Sequence, residues 1–457
     1  MNVMSASITF LGGADTVTGS KYLIEYNHQR LLVDCGLFQG YKQLRLRNWN
    51  PLPVNASQID AVVLTHGHLD HSGYLPLLVK NGFQGRVHAT SATCDLVSIL
   101  LPDSGHIQEE DAFFANRHGF SKHAPALPLY TKQEAVASLK PLHAEKQGQW
   151  FEPIAGWKAR FQPAGHILGA ASLLLDVGGR RVLFSGDLGR PEDPLMNPPE
   201  PPPQADTVLI ESTYGDRQHP KENVFNELGP LLKKLAARGG VAVVPVFAVG
   251  RAQAVLHTIA QLKAAGEIPH SLPIFLDSPM AIHTTALFER HPGEHRLSPQ
   301  EVRSMNHAAT MLETPEQSKS LARRHGPMVI LAASGMATGG RVLHHLAQYA
   351  GDHRNMIILT GYQAPGTRGA ALASGRNTVR IHAQDVPVRA EVVQIESASA
   401  HADANQLLSW LHKMPSAPGQ VYVVHGEREA SDMLRQRIEH EIKWRALVPE
   451  HGSVWPL

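Results

Sequence analysis

The chain of 457 residues has only two cysteines, Cys35 and Cys94. That excludes a disulfide framework and any cysteine-built zinc cluster, and it favours a reducing, cytoplasmic setting. No apolar run approaches the roughly 18 residues of a membrane span. The amino terminus lacks the basic flank and long apolar stretch of a secretory leader. An excess of one charge is missing too, because 42 Lys+Arg face 41 Asp+Glu for a formal net charge of +1. The average is therefore not that of a nucleic-acid binder, although a local basic surface is not excluded. There is no internal repeat and no long low-complexity tract. Histidine, by contrast, is plentiful at 27 residues, and 43% of the chain is hydrophobic. A soluble globular protein of two or three domains is expected, since single cores rarely grow beyond about 250–300 residues.

The first sixty residues alternate short apolar strands with glycine turns: Ile8 to Leu11, Tyr22 to Tyr26, Arg30 to Asp34. This reads as a meander of strands rather than a βαβ repeat. Residues 61–64 and 87–90 read as strands, 74–80 and 94–118 as helices, and 161–164, 172–176 and 181–185 as strands again. The stiff run Asn197-Pro-Pro-Glu-Pro-Pro-Pro-Gln204 is expected on the surface, as a domain seam. Beyond it strands alternate with helices: strand 208–211, helix 223–238, strand 241–246, helix 252–265, then strands 274–276, 328–332 and 356–360. That alternation predicts a parallel sheet whose loops at the strand carboxyl ends carry ligands. After 392–396 the mixed texture resumes, and 422–425 is one more strand.

Chemistry concentrates between Leu64 and Gly73, where the chain reads Leu-Thr-His-Gly-His-Leu-Asp-His-Ser-Gly. His66 and His68, two apart in extended chain, point to one side. Asp70 and His71 follow just past the bend. By composition alone about one or two His-x-His pairs are expected in this chain. Asp and His at the next two fixed offsets are not. Imidazole and carboxylate are what zinc takes when no thiolate is offered. Four residues cannot close two metal sites, and three further strand ends deliver a ligand type beside glycine. They are His166 in Ala164-Gly-His166, Asp187 in Ser185-Gly-Asp187, and His425 in Val424-His-Gly426. His106, His118, His123, His344 and His345 lack that context and are expected on the surface or in helix packing.

The ordered set His-x-His-x-Asp-His, His, Asp, His resembles the metallo-β-lactamase fold. The alternating insert between Asp187 and His425 resembles the β-CASP group of nucleases, relatives of the nuclease subunit of the cleavage and polyadenylation factor. The likeness covers essentially the whole chain. It includes Glu211-Ser-Thr-Tyr214-Gly215, Pro245-Val-Phe-Ala-Val-Gly-Arg251, Asp277-Ser-Pro279-Met280, Ser334-Gly-Met336, Gly361-Tyr-Gln363, Gly366-Thr367 and Ser399-Ala-His401-Ala-Asp403. It implies an α/β architecture, a metallo-β-lactamase αββα sandwich with an inserted β-CASP domain on a mainly parallel sheet flanked by helices. Residues 1–213 and 394–457 would form the sandwich and 214–393 the insert.

The resemblance also implies roles. Two zinc ions per chain are expected, one on His66, His68 and His166, the other on Asp70, His71 and His425, with Asp187 bridging. Asp34 would orient a ligand or the reacting water. A shared water would be activated near neutral pH for in-line attack on a phosphodiester, leaving a 5′-phosphate and a 3′-hydroxyl. His401 would protonate the leaving oxygen and Glu211 would orient His401. Histidine at position 425 goes with RNA-cleaving members, so single-stranded RNA is the expected substrate, cut endonucleolytically with exonuclease action left open.

Phosphates are expected at Arg251, which opens a helix after Gly250, and on the loops of Ser334, Gly335, Thr367 and Arg368. Ordinary turn chemistry also produces such loops. Family members commonly carry arginine where Ala370 stands, and Arg368 two places earlier is the candidate replacement. No appended RNA-binding module is recognisable before residue 5 or after His425. A DNA nuclease of the same fold, a hydrolase of small thioesters or lactams, and a non-catalytic RNA-binding scaffold remain open, as does a homo-oligomer.

Overall fold

The computed structural model describes residues 6–119, 121–220, 222–361, 363–364 and 366–457. Tyr362 of the Gly361-Tyr-Gln363 motif lies outside them. The chain forms two compact units, residues 1–218 with 401–457, and residues 219–400. The exchanges at Gln218/His219 and Ala400/His401 fall a few residues beyond the seams expected at 213/214 and 393/394.

The first unit is built on two seven-stranded sheets. One runs in the order Val454–Pro456, Ser7–Gly12, Lys21–Tyr26, Gln29–Val33, Ala61–Val63, Arg86–Thr90, Leu142–Glu145. Its first strands form the expected antiparallel meander, and from Gln29–Val33 onward the pairing is parallel. The other sheet runs Ala446–Leu447, Gln420–Val424, Thr207–Glu211, Arg180–Phe184, Ala171–Val177, Lys158–Pro163, Trp150–Phe151.

Side chains alternate across each strand, so one sheet serves two cores. Leu31, Val33 and Val63 face inward and meet Phe161, Leu173, Val182, Phe184 and Leu209 of the second sheet. Leu32, Val62 and Leu64 face outward and are covered by Leu75 and Leu78 of helix Leu75–Lys80 and Val97 and Leu101 of helix Ser91–His118. Helix Arg428–Arg437 packs against strand Gln420–Val424 of the second sheet, so helix, sheet, sheet and helix form the expected sandwich. The parallel strands send their carboxyl ends to one edge, where ligands collect in such sheets.

The second unit carries a six-stranded sheet in the order Thr310–Met311, Ile274–Leu276, Met328–Ala332, Val241–Pro245, Met356–Thr360, Glu391–Ile395. Every pairing in it is parallel. The hairpin Thr378–Ile381 with Gln384–Pro387 lies apart from that sheet.

Two expectations need correction. The proline run is no domain seam. It lies inside the first unit, where Glu200 N donates to Pro163 O and Trp410 Nε1 donates to Glu200 O. Prolines without N–H groups can line a strand connection here because these two bonds supply the anchoring. Strand Thr207–Glu211, although it opens the stretch of alternating texture, lies in the sandwich, within the 1–213 bound that the resemblance implies, and pairs with Arg180–Phe184 and Gln420–Val424. Strand Glu391–Ile395 goes the other way, into the insert's sheet beside Met356–Thr360. Short apolar runs carry no signal of which sheet they join.

Candidate metal centre

Seven donor residues stand just past strand ends of the first unit. His66 and His68 follow Ala61–Val63, His166 follows Lys158–Pro163, Asp187 follows Arg180–Phe184, and His425 follows Gln420–Val424. His68 caps the four-residue helix Leu69–Ser72, which carries Asp70 and His71. Asp34 and His425 hold left-handed backbone at φ 60 and 49. Neither is glycine, and such strain is characteristic of functional turns.

The donor atoms fall into two groups. His66 Nε2 and His166 Nε2 each lie 3.2 Å from His68 Nδ1. His71 Nε2 lies 3.1 Å from His425 Nε2, whose ring nitrogen is 3.5 Å from Asp70 Oδ2. Asp187 stands between the groups and offers one oxygen to each. Its Oδ2 is 3.5 Å from His66 and 3.7 Å from His166, while its Oδ1 is 3.3 Å from His71 and 3.4 Å from His425. Within each group the ligand atoms lie within 4.8 Å of one another.

The chemistry of this set fits divalent cations of zinc's type. Ring nitrogens that face one another in a buried site make poor mutual hydrogen bonds, and the buried Asp187 Oδ1 accepts no well-formed one. Burial, with the neighbouring His71 charge, holds His66 well below the usual imidazole range. Burial likewise takes His68 down to about 4. Burial would raise Asp187, but His425, His71 and His66 outweigh it and keep the carboxyl well below its usual range. His71 goes the other way, raised well above the usual imidazole range by the Asp187 and Asp34 carboxylates against burial, so it is His66 and His68, unprotonated beside an ionised carboxylate, that already stand in the forms a cation requires.

Neighbours fix which ring nitrogen is offered. His71 Nδ1 donates to Asp34 Oδ2 at 2.8 Å, which turns Nε2 toward the site. Thr65 N and Oγ1 both donate to Asp34, and Thr65 Oγ1 lies 3.2 Å from His66 Nδ1. Thr213 Oγ1 lies 3.2 Å from His425 Nδ1. Thr65 and Thr213 were not picked out as functional residues. Both stand inside the quoted motifs, next to a ligand or two places from Glu211, and that adjacency was the available signal.

His401 and Glu211, 190 residues apart in sequence, meet with Nδ1 3.2 Å from Oε2. Glu211 is buried and also accepts from Leu188 N at 2.6 Å. Burial alone would lower the His401 pKa, but the Glu211 charge and hydrogen bond raise it above its usual value. A bridge pairs His401 with Gly189. A Cβ on Gly189 would lie 1.8 Å from Gly165 O, so only glycine lets the two loops close here. The His401 ring is centred 4.3 Å from that of His166.

The expected phosphate contacts lie in the second unit. Arg251 is buried at the start of helix Arg251–Ala264, against Gly361, where a Cβ would come within 2.9 Å of both Nη atoms. Gly335 O accepts from Gln363 Nε2, and Ser334 Oγ pairs with Thr338 Oγ1. Thr367 caps helix Arg368–Ala373. Arg368 gives its guanidinium to the carbonyls of Arg380, Ala337 and Thr338, which is a structural use of the charge. His106, His118, His123 and His344 are exposed as expected. His345 is not a mere packing residue. It is buried with Nε2 2.6 Å from Asp277 Oδ2, and Arg341 Nη1 donates to the same carboxylate. Helical spacing had hidden that pair.

Comparison with known proteins gives a consistent picture. Residues 15–222 match the model of the metallo-beta-lactamase superfamily, and 252–372 that of the Beta-Casp domain. Residues 385–449 match the Zn-dependent metallo-hydrolase RNA specificity domain. That last match reaches past His425, where no RNA-related segment had been recognised in the sequence. The chain is 38% identical to "Ribonuclease TTHA0252" of Thermus thermophilus over 428 residues, 92% of each chain. It is 30% identical to an "RNase J-like protein" of Methanocaldococcus jannaschii, covering 98% of this chain and 99% of that one. It is 28% identical to "Cleavage and polyadenylation specificity factor 73" of Drosophila melanogaster, covering 94% of this chain and 61% of the other. A solved protein of unknown function from Enterococcus faecalis shares the fold, with a TM-score of 0.53 at 14% identity over 99% of this chain and all of that one.

Proposed function

The chain belongs to the metallo-β-lactamase superfamily, in its branch with an inserted Beta-Casp domain, and on that footing we propose that it is a two-zinc ribonuclease cutting single-stranded RNA. It is a hydrolytic nuclease of the RNA-directed kind its relatives are named for. The observation that carries the two-metal reading is Asp187, whose two oxygens each face a different group of histidines.

His66, His68 and His166 would hold one ion, and Asp70, His71 and His425 the other, with Asp187 shared through the oxygen that faces His71 Nε2. When bound, the ions supply Lewis acidity to the attacking water and to the phosphoryl oxygens. Asp34 and Thr65 keep the His66 and His71 rings in the ligating orientation. Glu211 holds a proton on His401 Nδ1 and stabilises the imidazolium, so that delivery to the leaving 3′-oxygen falls to Nε2. The scissile P–O3′ bond breaks as the water oxygen joins phosphorus, and the products carry a 5′-phosphate and a 3′-hydroxyl. Arg251, with Ser334, Gly335 and Thr367 on neighbouring loops of the insert, offers cationic and N–H donors to substrate phosphates. Arg368 stiffens that loop instead.

The test is direct. The zinc-loaded chain is given labelled single-stranded RNA and DNA of one sequence, with and without EDTA. RNA should be cut faster, with 5′-phosphorylated products and no cleavage in chelator. Faster DNA cleavage, or undiminished cleavage in chelator, would defeat the reading.

A further inference from the structure

Helix Lys42–Arg47 is a helix without a core, since none of its residues is buried. Isolated six-residue helices do not persist in water, so something outside the helix must hold it. The tie is Asn48, buried at its carboxyl end, whose side chain brackets Phe38. Asn48 Oδ1 accepts from Phe38 N at 2.9 Å and Nδ2 donates to Phe38 O at 2.8 Å. The Arg47 guanidinium lies over the Phe38 ring at 5.5 Å.

Phe38 in turn belongs to the strap beneath the metal centre. Leu37 N donates to Leu69 O, Cys35 N to His71 O, and Gly36 N to Ser20 O, while Ser20 N donates to Asp70 O. The strap has no slack, because a Cβ on Gly36 would lie 1.6 Å from Asp70 O. Lys21, buried between the Phe38 and Tyr74 rings, donates from Nζ to Gly36 O. An exposed helix is thus pinned a few residues from the loop that carries Asp70 and His71.

What that helix shows to solvent is specific. Tyr41, Leu46 and Trp49 are 51%, 51% and 56% exposed. Lys42 and Arg45 are exposed between them, and Arg47 is half-buried. No Asp or Glu occurs anywhere between Asp34 and Asp60, so no carboxylate of this segment competes for those cations. Outside the segment, the Asp111 carboxyl of helix Ser91–His118 is within reach of the Arg45 charge. Two aromatic rings flanking three cations match a polyanion whose bases offer π-faces. A protein partner is matched less well, because a stable interface core is depleted of charge.

We propose that Tyr41–Trp49 is a docking track for single-stranded RNA, holding the strand beside the scissile phosphate by stacking on Tyr41 and Trp49 and by phosphate contacts from Lys42, Arg45 and Arg47. The identity of the strand rests on the ribonuclease reading above. The position of the track rests on Asn48, Phe38 and the strap.

The test is binding of a 2′-O-methylated single-stranded RNA, checked on a gel to stay intact through the measurement, to the full zinc-loaded chain, read by fluorescence anisotropy across a salt series. Wild type is compared with Tyr41→Ala/Trp49→Ala and with Lys42→Gln/Arg45→Gln. All four residues are exposed, so the variants should melt as wild type does. The aromatic pair should weaken binding by at least about tenfold. The charge pair should flatten the slope of log affinity against log salt by about 1.4, roughly 0.7 per lost phosphate contact. Unchanged affinity and unchanged slope overturn the proposal while leaving the ribonuclease reading intact. So does an oligomer that dissociates in Tyr41→Ala/Trp49→Ala while RNA affinity stays the same, which would assign the patch to a second copy. A wild-type chain that binds this RNA but cleaves none of the unmodified strand of the same sequence defeats the ribonuclease reading instead.

Discussion

Replacing His401 by alanine separates proton delivery from metal chemistry. The imidazole is 19% exposed, its Nδ1 is engaged by Glu211 at 3.2 Å, and it stands beside His166 without belonging to either donor group. Its loss should therefore leave the zinc content unchanged. A positioned general acid contributes about 10²–10⁴ in rate, or roughly 3–5 kcal/mol of barrier. RNA cleavage needs that acid because a 3′-alkoxide is a poor leaving group. Bis(p-nitrophenyl) phosphate does not, because nitrophenolate departs without a proton. Single-turnover RNA cleavage should fall by about 10²–10⁴ in His401→Ala, while hydrolysis of the nitrophenyl diester stays within about threefold. The pH profile adds a sign. An acid catalyst works in its protonated form, so the rate falls as pH rises through the His401 pKa, which Glu211 holds above its usual value. Glu211→Gln removes the charge and should move that alkaline limb to lower pH. Equal losses on both substrates, or an alkaline limb that stays in place in Glu211→Gln, would refute proton delivery by His401.

Asp70→Ala removes a carboxylate from the second donor group and should abolish RNA cleavage with loss of bound zinc, read by elemental analysis of the purified chain; full zinc occupancy would contradict its assignment. Gly36→Ala forces a methyl group into Asp70 O and should destabilise the chain by at least about 2 kcal/mol in urea melts; a neutral result would show that the strap can yield. Lys21 is lowered by burial from 10.5 to about 8 in the folded chain. Between those pH values the unfolded state binds the extra proton, so wild-type stability should rise with pH relative to Lys21→Met, by up to about 3 kcal/mol. Parallel pH–stability curves for the two proteins would show that Lys21 is not desolvated.

The proposed donors were legible because a metal ligand must combine a restricted residue type with a strand-end position. His66, His68, Asp70 and His71 sit in one run, and His166, Asp187 and His425 each announce themselves by an apolar strand and a glycine. The meander and the parallel insert were legible from periodicity for the same reason. What periodicity does not carry is partnership. Val208 to Glu211 reads as one more strand of the alternating region, yet its neighbours are Arg180–Phe184 and Gln420–Val424. His345 reads as a helix residue because the carboxylate that holds it, Asp277, is 68 positions away. Thr65 and Thr213 were hidden for another reason. A hydroxyl that orients a ligand differs in no local way from one that faces water, and only the ring nitrogen at 3.2 Å gives it a role.

Glu211 and His401 are the hardest case, and the fold explains why they can work as a pair. The chain leaves the first unit after Gln218 and returns at His401. At that junction Ala404 N donates to Arg217 O at 3.1 Å, so departure and return are adjacent. Such a junction accepts a long insertion at small cost, because closure entropy grows only with the logarithm of loop length. The contact between Glu211 and His401 is consequently local to the sandwich, however many residues intervene. Leu188 N fixes the carboxylate and Gly189 fixes the backbone of the histidine, and both belong to the loop that follows Asp187. The pair proposed to deliver the proton and the carboxylate that faces both donor groups are thereby set by one turn of chain. A shift in that turn would disturb both together.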